Sequence, residues 1–159
     1  MLKLQKRMQA GFTIIELLIV IAIIGILATL VLTNFQGAQA KGRDTVRKND
    51  INSLYQKLEE YYNENGGYPN GNLSTSVLPG IDAGALTDAD GTAITYTGGF
   101  VTSTTAPSPA PTNTGGEYVY AAYGCTAAGA QTTVTGGCTK YVLATFLERE
   151  SVYTKSSLN

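Results

Sequence analysis

Residues 12–40 read FTIIELLIVIAIIGILATLVLTNFQGAQA, 29 residues carrying one charge, Glu16. Inside this run Leu17–Leu32 has nothing more polar than Thr29. About 20 apolar residues cross a hydrocarbon core of about 30 Å, so the run is long enough to span a membrane as a helix. Basic residues stand on both sides, Lys3, Lys6 and Arg7 before it and Lys41, Arg43, Arg47 and Lys48 after it. Such even flanks do not orient the span. Outward from this stretch the charge density changes sharply: residues 1–40 hold four charged side chains, 41–70 hold ten and 71–159 hold nine. A 159-residue chain that is only 14% charged therefore divides into three stretches suited to three environments.

Composition also excludes. With no His, no Trp and two Cys, the common acid/base, zinc and Cys/His nucleophile sets lack their usual members, and no catalytic, cofactor or metal site is expected. A net charge of −1 disfavours a nucleic-acid binder. The apolar run has two simpler readings. A secretory signal peptide fits the basic start and the small-x-small triplet Ala38-Gln39-Ala40, but a signal core is about 7 to 15 residues long. A plain membrane anchor fits the length. Both leave Glu16 unexplained, because a carboxylate in a membrane helix is costly and marks function, with a partner to be named.

The string Lys6-Arg7-Met8-Gln9-Ala10-Gly11-Phe12-Thr13-Ile14-Ile15-Glu16-Leu17-Leu18 resembles the cleavage and methylation site of type IV prepilins and of the pseudopilins of type II secretion. The resemblance implies that a prepilin peptidase cuts between Gly11 and Phe12 and methylates the new Phe12 amine. It implies an orientation, with the leader 1–11 cytoplasmic and the chain beyond about Ala40 on the far side of the membrane. It implies that Glu16 of an incoming subunit meets the Phe12 amine of one already in a filament; helical spacing by itself also allows a pair within one chain. The implied partners are further copies of the chain in a helical filament, the peptidase/methylase, an inner-membrane platform protein with its assembly ATPase, and membrane lipid before assembly. No cofactor, specific nucleic acid or small-molecule ligand is implied. The implied location is a single-pass inner-membrane precursor that becomes an extracytoplasmic pilus or pseudopilus. One departure stands out: many members carry Pro-Asn-hydrophobic after the span, where this chain has Thr33-Asn34-Phe35, so helix melting that depends on proline is in doubt. Gly25 is either a weak point of the span or a place of close helix packing.

Beyond the apolar run, Ile51, Leu54, Tyr55, Leu58, Tyr61 and Tyr62 recur at spacings of three and four, with Lys57, Glu59, Glu60 and Glu64 between them. This is helical periodicity, and it predicts one helix from about Phe12 to Glu64, stopped by Gly66-Gly67 and kept from resuming by Tyr68-Pro69. The stretch Asp50–Pro69 resembles the helix-to-loop junction of pilins, of major pseudopilins in particular; beyond Pro69 no resemblance continues. From Gly71 onward short β-type runs are expected at Thr92–Thr97, Glu117–Tyr123, Gln131–Thr135 and Lys140–Leu147. The expected fold is α+β, a pilin-like long helix with a small antiparallel sheet laid against its amphipathic half. The expected organisation is a leader at 1–11, a transmembrane and assembly half-helix at 12–40, an amphipathic half at 41–65 and a β-rich head at 66–159 with an uncharged Thr/Pro/Gly loop at 98–116. Cys125 and Cys138, 13 apart, read as a disulfide in that head. Tyr118, Tyr120, Tyr123 and Tyr141 read as packing on the sheet or its helix. Asp88-Ala89-Asp90-Gly91 reads as a turn; as a calcium loop it lacks the closing glutamate.

The expected function is a structural filament subunit without catalysis. A major-type pseudopilin of a secretion or DNA-uptake system is the alternative within the family, and a membrane-anchored surface binding domain that does not assemble is the alternative outside it.

Overall fold

The computed structural model describes residues 11–88, 91–96, 117–125 and 137–159. The chain falls into two compact units, Met1–Gln39 and Ala40–Asn159. Helix α1 (Ile14–Asn65) begins in the first and ends in the second. In the first unit its side chains are exposed: Leu17, Leu18, Ile21, Ile24, Leu27 and Val31 among others are left uncovered by the described residues. A helix that is apolar all round needs lipid or like helices around it. The Thr29 hydroxyl is satisfied within the helix, donating to the carbonyl of Ile26 at 2.8 Å, as an apolar environment requires.

In the second unit α1 shows one buried stripe, Asp44, Arg47, Ile51, Leu54 and Leu58, at alternating spacings of three and four. Tyr55, Tyr61 and Tyr62 pack at its margin, half-buried. The helix stops as expected. Gly66 takes a left-handed conformation (φ 72°) and its N–H donates to the Tyr62 carbonyl at 2.8 Å, the left-handed cap that only glycine adopts without strain.

Four strands follow, β1 (Thr95–Tyr96), β2 (Tyr118–Cys125), β3 (Cys138–Phe146) and β4 (Val152–Ser156), in the order β1-β2-β3-β4. β2, β3 and β4 are antiparallel, with Tyr120 opposite Leu143 and Ala144 opposite Thr154. The expected sheet needs two corrections. β1 runs parallel to β2, pairing Thr95 with Val119, and is shorter than the expected Thr92–Thr97. Parallel pairing needs a long connection, and residues 97–117 are long enough to make one. β4 was not expected at all; its signal is the Val152-Tyr153-Thr154 run of β-type residues with too little hydrophobicity to stand out. The expected strand Gln131–Thr135 and the loop 98–116 lie outside the described residues.

Side chains alternate along β2, so Tyr118, Tyr120 and Ala122 join Tyr141 and Leu143 of β3 in the core with Ile51, Leu54 and Leu58. This core is unusually phenolic, and four of its tyrosine hydroxyls have partners, while the buried Thr145 hydroxyl has none among the described residues. Tyr118 donates to Asp50 at 2.6 Å, Tyr120 to the Pro69 carbonyl at 2.7 Å, and Tyr68 and Tyr141 to the two oxygens of Glu59, both at 2.9 Å. The Tyr68 and Tyr141 rings meet edge-on with centroids 4.6 Å apart. Burial raises the Tyr68 phenol to about 12, so it donates throughout the physiological range.

Cys125 and Cys138 face each other across β2 and β3 and are joined by a disulfide. Cys138 also exchanges two backbone hydrogen bonds with Tyr68, at 2.8 and 3.0 Å. The end of the hairpin is thereby pinned to the helix exit. Here glycine is required for space: a Cβ on Gly67 would lie 2.5 Å from Cα of Gly137.

Glu59→Ala should strand two phenol hydroxyls and lower the unfolding free energy by about 1–3 kcal/mol for each, read by denaturant titration; adding Tyr141→Phe should recover part of that loss, because one stranded donor is then gone. The Cys125→Ser/Cys138→Ser pair should cost about 3 kcal/mol by the chain-entropy argument for a loop of this size.

Candidate functional site

The residues singled out from the sequence sit at the start of α1. Gly11, Phe12 and Thr13 precede the helix, and the Phe12 ring is 89% exposed. Glu16 occupies the first turn. Its Oε2 accepts the Thr13 N–H at 2.9 Å and the Thr13 hydroxyl at 2.7 Å, while the Glu16 N–H points back to Thr13 Oγ1 at 3.3 Å. This is a capping box, in which two orphan backbone donors of the helix end are satisfied reciprocally. Thr13 is the residue that sequence reasoning passed over, although Thr-x-x-Glu before an apolar run is its standard signature. The box holds the only carboxylate of the apolar run one turn from Phe12 and at the positive end of the helix dipole. An exposed carboxylate so held can accept an ammonium group.

In the second unit the structure brings together charges that looked like separate surface residues. Arg47, expected with Lys41, Arg43 and Lys48 to mark a membrane interface, is only 3% exposed. Its Nε and Nη2 donate to the two oxygens of Asp88 at 2.9 and 3.1 Å, and its Nη1 donates to Asp44 at 3.2 Å and to Glu148 at 2.8 Å. Arg43 forks onto Glu148 at 2.6 Å through each of two nitrogens. Asp44 accepts the backbone N–H groups of Glu148 and Arg149 at 2.8 and 3.0 Å. Two arginines and three carboxylates thus join α1 to the β3–β4 connection and to the segment before β1. A buried guanidinium is tolerable only with such pairing.

This network also decides what the Asp88–Gly91 string does. Asp88 donates its N–H to the Thr92 carbonyl, and the Gly91 N–H donates to the Asp88 carbonyl, both at 2.8 Å. Thr87 bridges to Ala93. These bonds tie Asp88 to Gly91 and Thr92, and the Asp88 carboxylate faces Arg47. Ala89 and Asp90 lie outside the described residues. Among the described residues no group of three or more His, Cys, Asp or Glu could hold a metal ion.

Comparison with known proteins bears on the N-terminal site first. Residues 6–32 match the family described as the prokaryotic N-terminal methylation motif. This chain carries the prepilin motif. Type II secretion system core protein G of Aeromonas hydrophila is 42% identical over 66 residues, 42% of this chain and 46% of that protein. The type IV major pilin protein PilA of Myxococcus xanthus is 41% identical over 58 residues, 36% of this chain and 26% of that one. Fimbrial protein EcpC of Eikenella corrodens is 36% identical over 77 residues, 48% of this chain and 50% of that one. The chain spans half or less of the length of these relatives. No solved structure matches it. A type IV major pilin, a fimbrial protein and a type II secretion core protein are thus among its relatives, and the α+β order of a long N-terminal helix followed by a small sheet is pilin-like.

Two outcomes test these geometries. Arg43 first, then Arg47, holds the Glu148 carboxylate down at about 2, against an ordinary 4.5. A folded-state value below the unfolded one adds stability that is complete above about pH 4.5 and is lost as pH falls toward 2. The denaturant midpoints of the native chain and of Glu148→Gln should therefore differ at pH 7 and converge near pH 2. Thr13→Ala should remove the cap, read as faster amide hydrogen exchange at Glu16 and Leu17 with the β-sheet amides unchanged.

Proposed function

We propose that the chain is the precursor of a structural subunit of a type IV pilus-like filament, cut between Gly11 and Phe12 by a prepilin peptidase, N-methylated at Phe12 and polymerised through α1. The observation that carries this reading is the prepilin motif at residues 6–32, with its Glu16 held at the tip of the otherwise uncharged, outward-facing half of α1. After cleavage the Phe12 amine is a cation in apolar surroundings, and Glu16 of a neighbouring copy is the counter-ion that makes burial of both affordable. The carboxylate would then exchange its Thr13 partners for the ammonium. The subunit performs no catalysis in this reading. It starts as a single-pass inner-membrane protein handled by a platform protein and an assembly ATPase.

The same helix serves both states. Its apolar half meets an environment of similar polarity in lipid and in a bundle of like helices, so transfer from membrane to filament costs little desolvation. The organisation that goes with this is a leader at 1–11, an assembly half-helix at 12–40, an amphipathic half at 41–65 and a head at 66–159.

A second reading, a major-type pseudopilin of a secretion or DNA-uptake system, is favoured by the relatives named core protein G. It shares the processing and the polymerisation and differs in the length and use of the filament. A membrane-anchored binding domain that does not assemble shares neither.

The N-terminal residue and intact mass of the protein recovered from the cell envelope separate a filament subunit of either kind from an anchor that does not assemble. A chain that starts at methylated Phe12 supports the subunit reading; one that starts at Met1 or Lys41 overturns it. Glu16→Ala should abolish filaments while leaving membrane insertion intact or improved, since it removes a carboxylate from the span.

A further inference from the structure

Tyrosine rings run in unbroken contact from the surface of the second unit into its core, and the proposed assembly chemistry does not use them. Tyr62, half-buried on α1, has its ring centroid 4.6 Å from that of Tyr68. Tyr68 meets Tyr141 at 4.6 Å, and Tyr141 meets Tyr120 at 5.9 Å. Tyr68, Tyr120 and Tyr141 have no exposed surface. Packing accounts for the rings, but phenylalanine would pack as well. It does not account for where two of the hydroxyls end.

Tyr68 and Tyr141 share one carboxylate. Tyr68 donates to Oε2 of Glu59 and Tyr141 to Oε1, both at 2.9 Å. The Leu158 N–H donates to the same Oε1 at 3.4 Å, and Nδ2 of Asn159 donates to the Tyr68 hydroxyl at 3.3 Å. Among the described residues Glu59 forms no salt bridge, so no cation neutralises its charge. Removing an electron from a buried phenol leaves a positive charge in an apolar interior, which is costly unless the phenolic proton leaves as well. A base within hydrogen-bond reach of that proton makes this possible, and Glu59 stands within reach of two. Tyr120 differs. Its hydroxyl ends on the Pro69 carbonyl, too weak a base to take a proton, so an oxidised Tyr120 would draw its electron from Tyr141.

We propose that Tyr68, Tyr141 and Glu59 form a redox site that takes up one oxidising equivalent, delivered through Tyr62 by a one-electron oxidant in solution. At Tyr141 the O–H bond breaks. The electron passes by way of Tyr68 and Tyr62 to the oxidant, which is reduced, and the proton passes to Oε1 of Glu59, which becomes a carboxylic acid. A neutral phenoxyl radical remains on the ring. At Tyr68 the same step uses Oε2. One carboxylate takes one proton, so each molecule holds one radical. Burial keeps that radical from coupling with a tyrosine of another copy, and a small reductant such as ascorbate returns the electron through Tyr62 as Glu59 gives back the proton. The proposal does not rest on the filament reading.

The test uses the full chain in detergent micelles, with photo-oxidised ruthenium tris-bipyridine as the oxidant and electron paramagnetic resonance with transient absorption as the readouts. The native chain should give a long-lived neutral tyrosyl radical. Tyr68→Phe/Tyr141→Phe, which keeps the rings, should lose it. Glu59→Gln, which keeps an acceptor but cannot take the proton, should shorten its lifetime by about tenfold, the rate equivalent of one charge-assisted hydrogen bond. Tyr62→Phe should slow its formation. Tyr118→Phe, which removes the separate phenol bonded to Asp50, should change nothing. Unchanged amide exchange in β2 and β3 shows that each variant is folded; if Glu59→Gln is not, a solvent deuterium isotope effect on radical formation in the native chain carries the proton transfer instead, and its absence overturns that transfer. A native chain without a long-lived radical overturns the proposal, as does a radical that survives the double variant. Dityrosine between copies as the main product overturns it too, since surface tyrosines then take the oxidation.

Discussion

Packing of Ile51, Leu54 and Leu58 against the tyrosines of β2 and β3 is the contact on which the second unit depends. A small sheet with one apolar face is not stable alone, and an amphipathic helix in water is marginal without a surface to cover its stripe. Each completes the other. The tyrosines make this packing directional. Their rings supply apolar area, and their hydroxyls must end on an acceptor, which Asp50, Glu59 and the Pro69 carbonyl provide. A slip of the helix along the sheet would strand them together.

The rest of the unit braces that contact at its two ends. At one end of the stripe Arg47 gathers Asp44, Asp88 and Glu148. At the other, the disulfide-linked end of β2 and β3 pairs with Tyr68 just past the helix cap. A buried ion cluster contributes less net stability than its short distances suggest, because desolvation offsets much of the attraction. Its value is geometric: three chain segments must converge on one guanidinium. The same convergence places the β3–β4 connection beside Lys41 and Lys48.

Glu16 shows how one side chain serves successive needs. In the uncut chain its carboxylate caps its own helix. In the proposed function, cleavage after Gly11 puts a new ammonium group one turn from the same oxygens. The cap keeps the carboxylate at the end of α1 and oriented, so the proposed pairing with a neighbour begins from a prepared position and costs less entropy.

Sequence alone determined whatever depends on near neighbours in the chain. The uncharged run, the helical spacing from Ile51 to Tyr62, the stop at Gly66 and the prepilin motif are all local patterns, and local patterns set local structure. β2 and β3 were legible for the same reason, as runs of β-type residues between turns. Tertiary structure decided whatever depends on which distant residues meet. Nothing near Arg47 in sequence announces that Asp88, 41 residues on, and Glu148, 101 residues on, will bury it, so it read as one of the basic residues marking a membrane interface. The parallel direction of β1, the polar β4 and the double acceptor role of Glu59 likewise follow from pairing across long loops, where closure entropy and packing choose the partner and no short-range pattern records the choice.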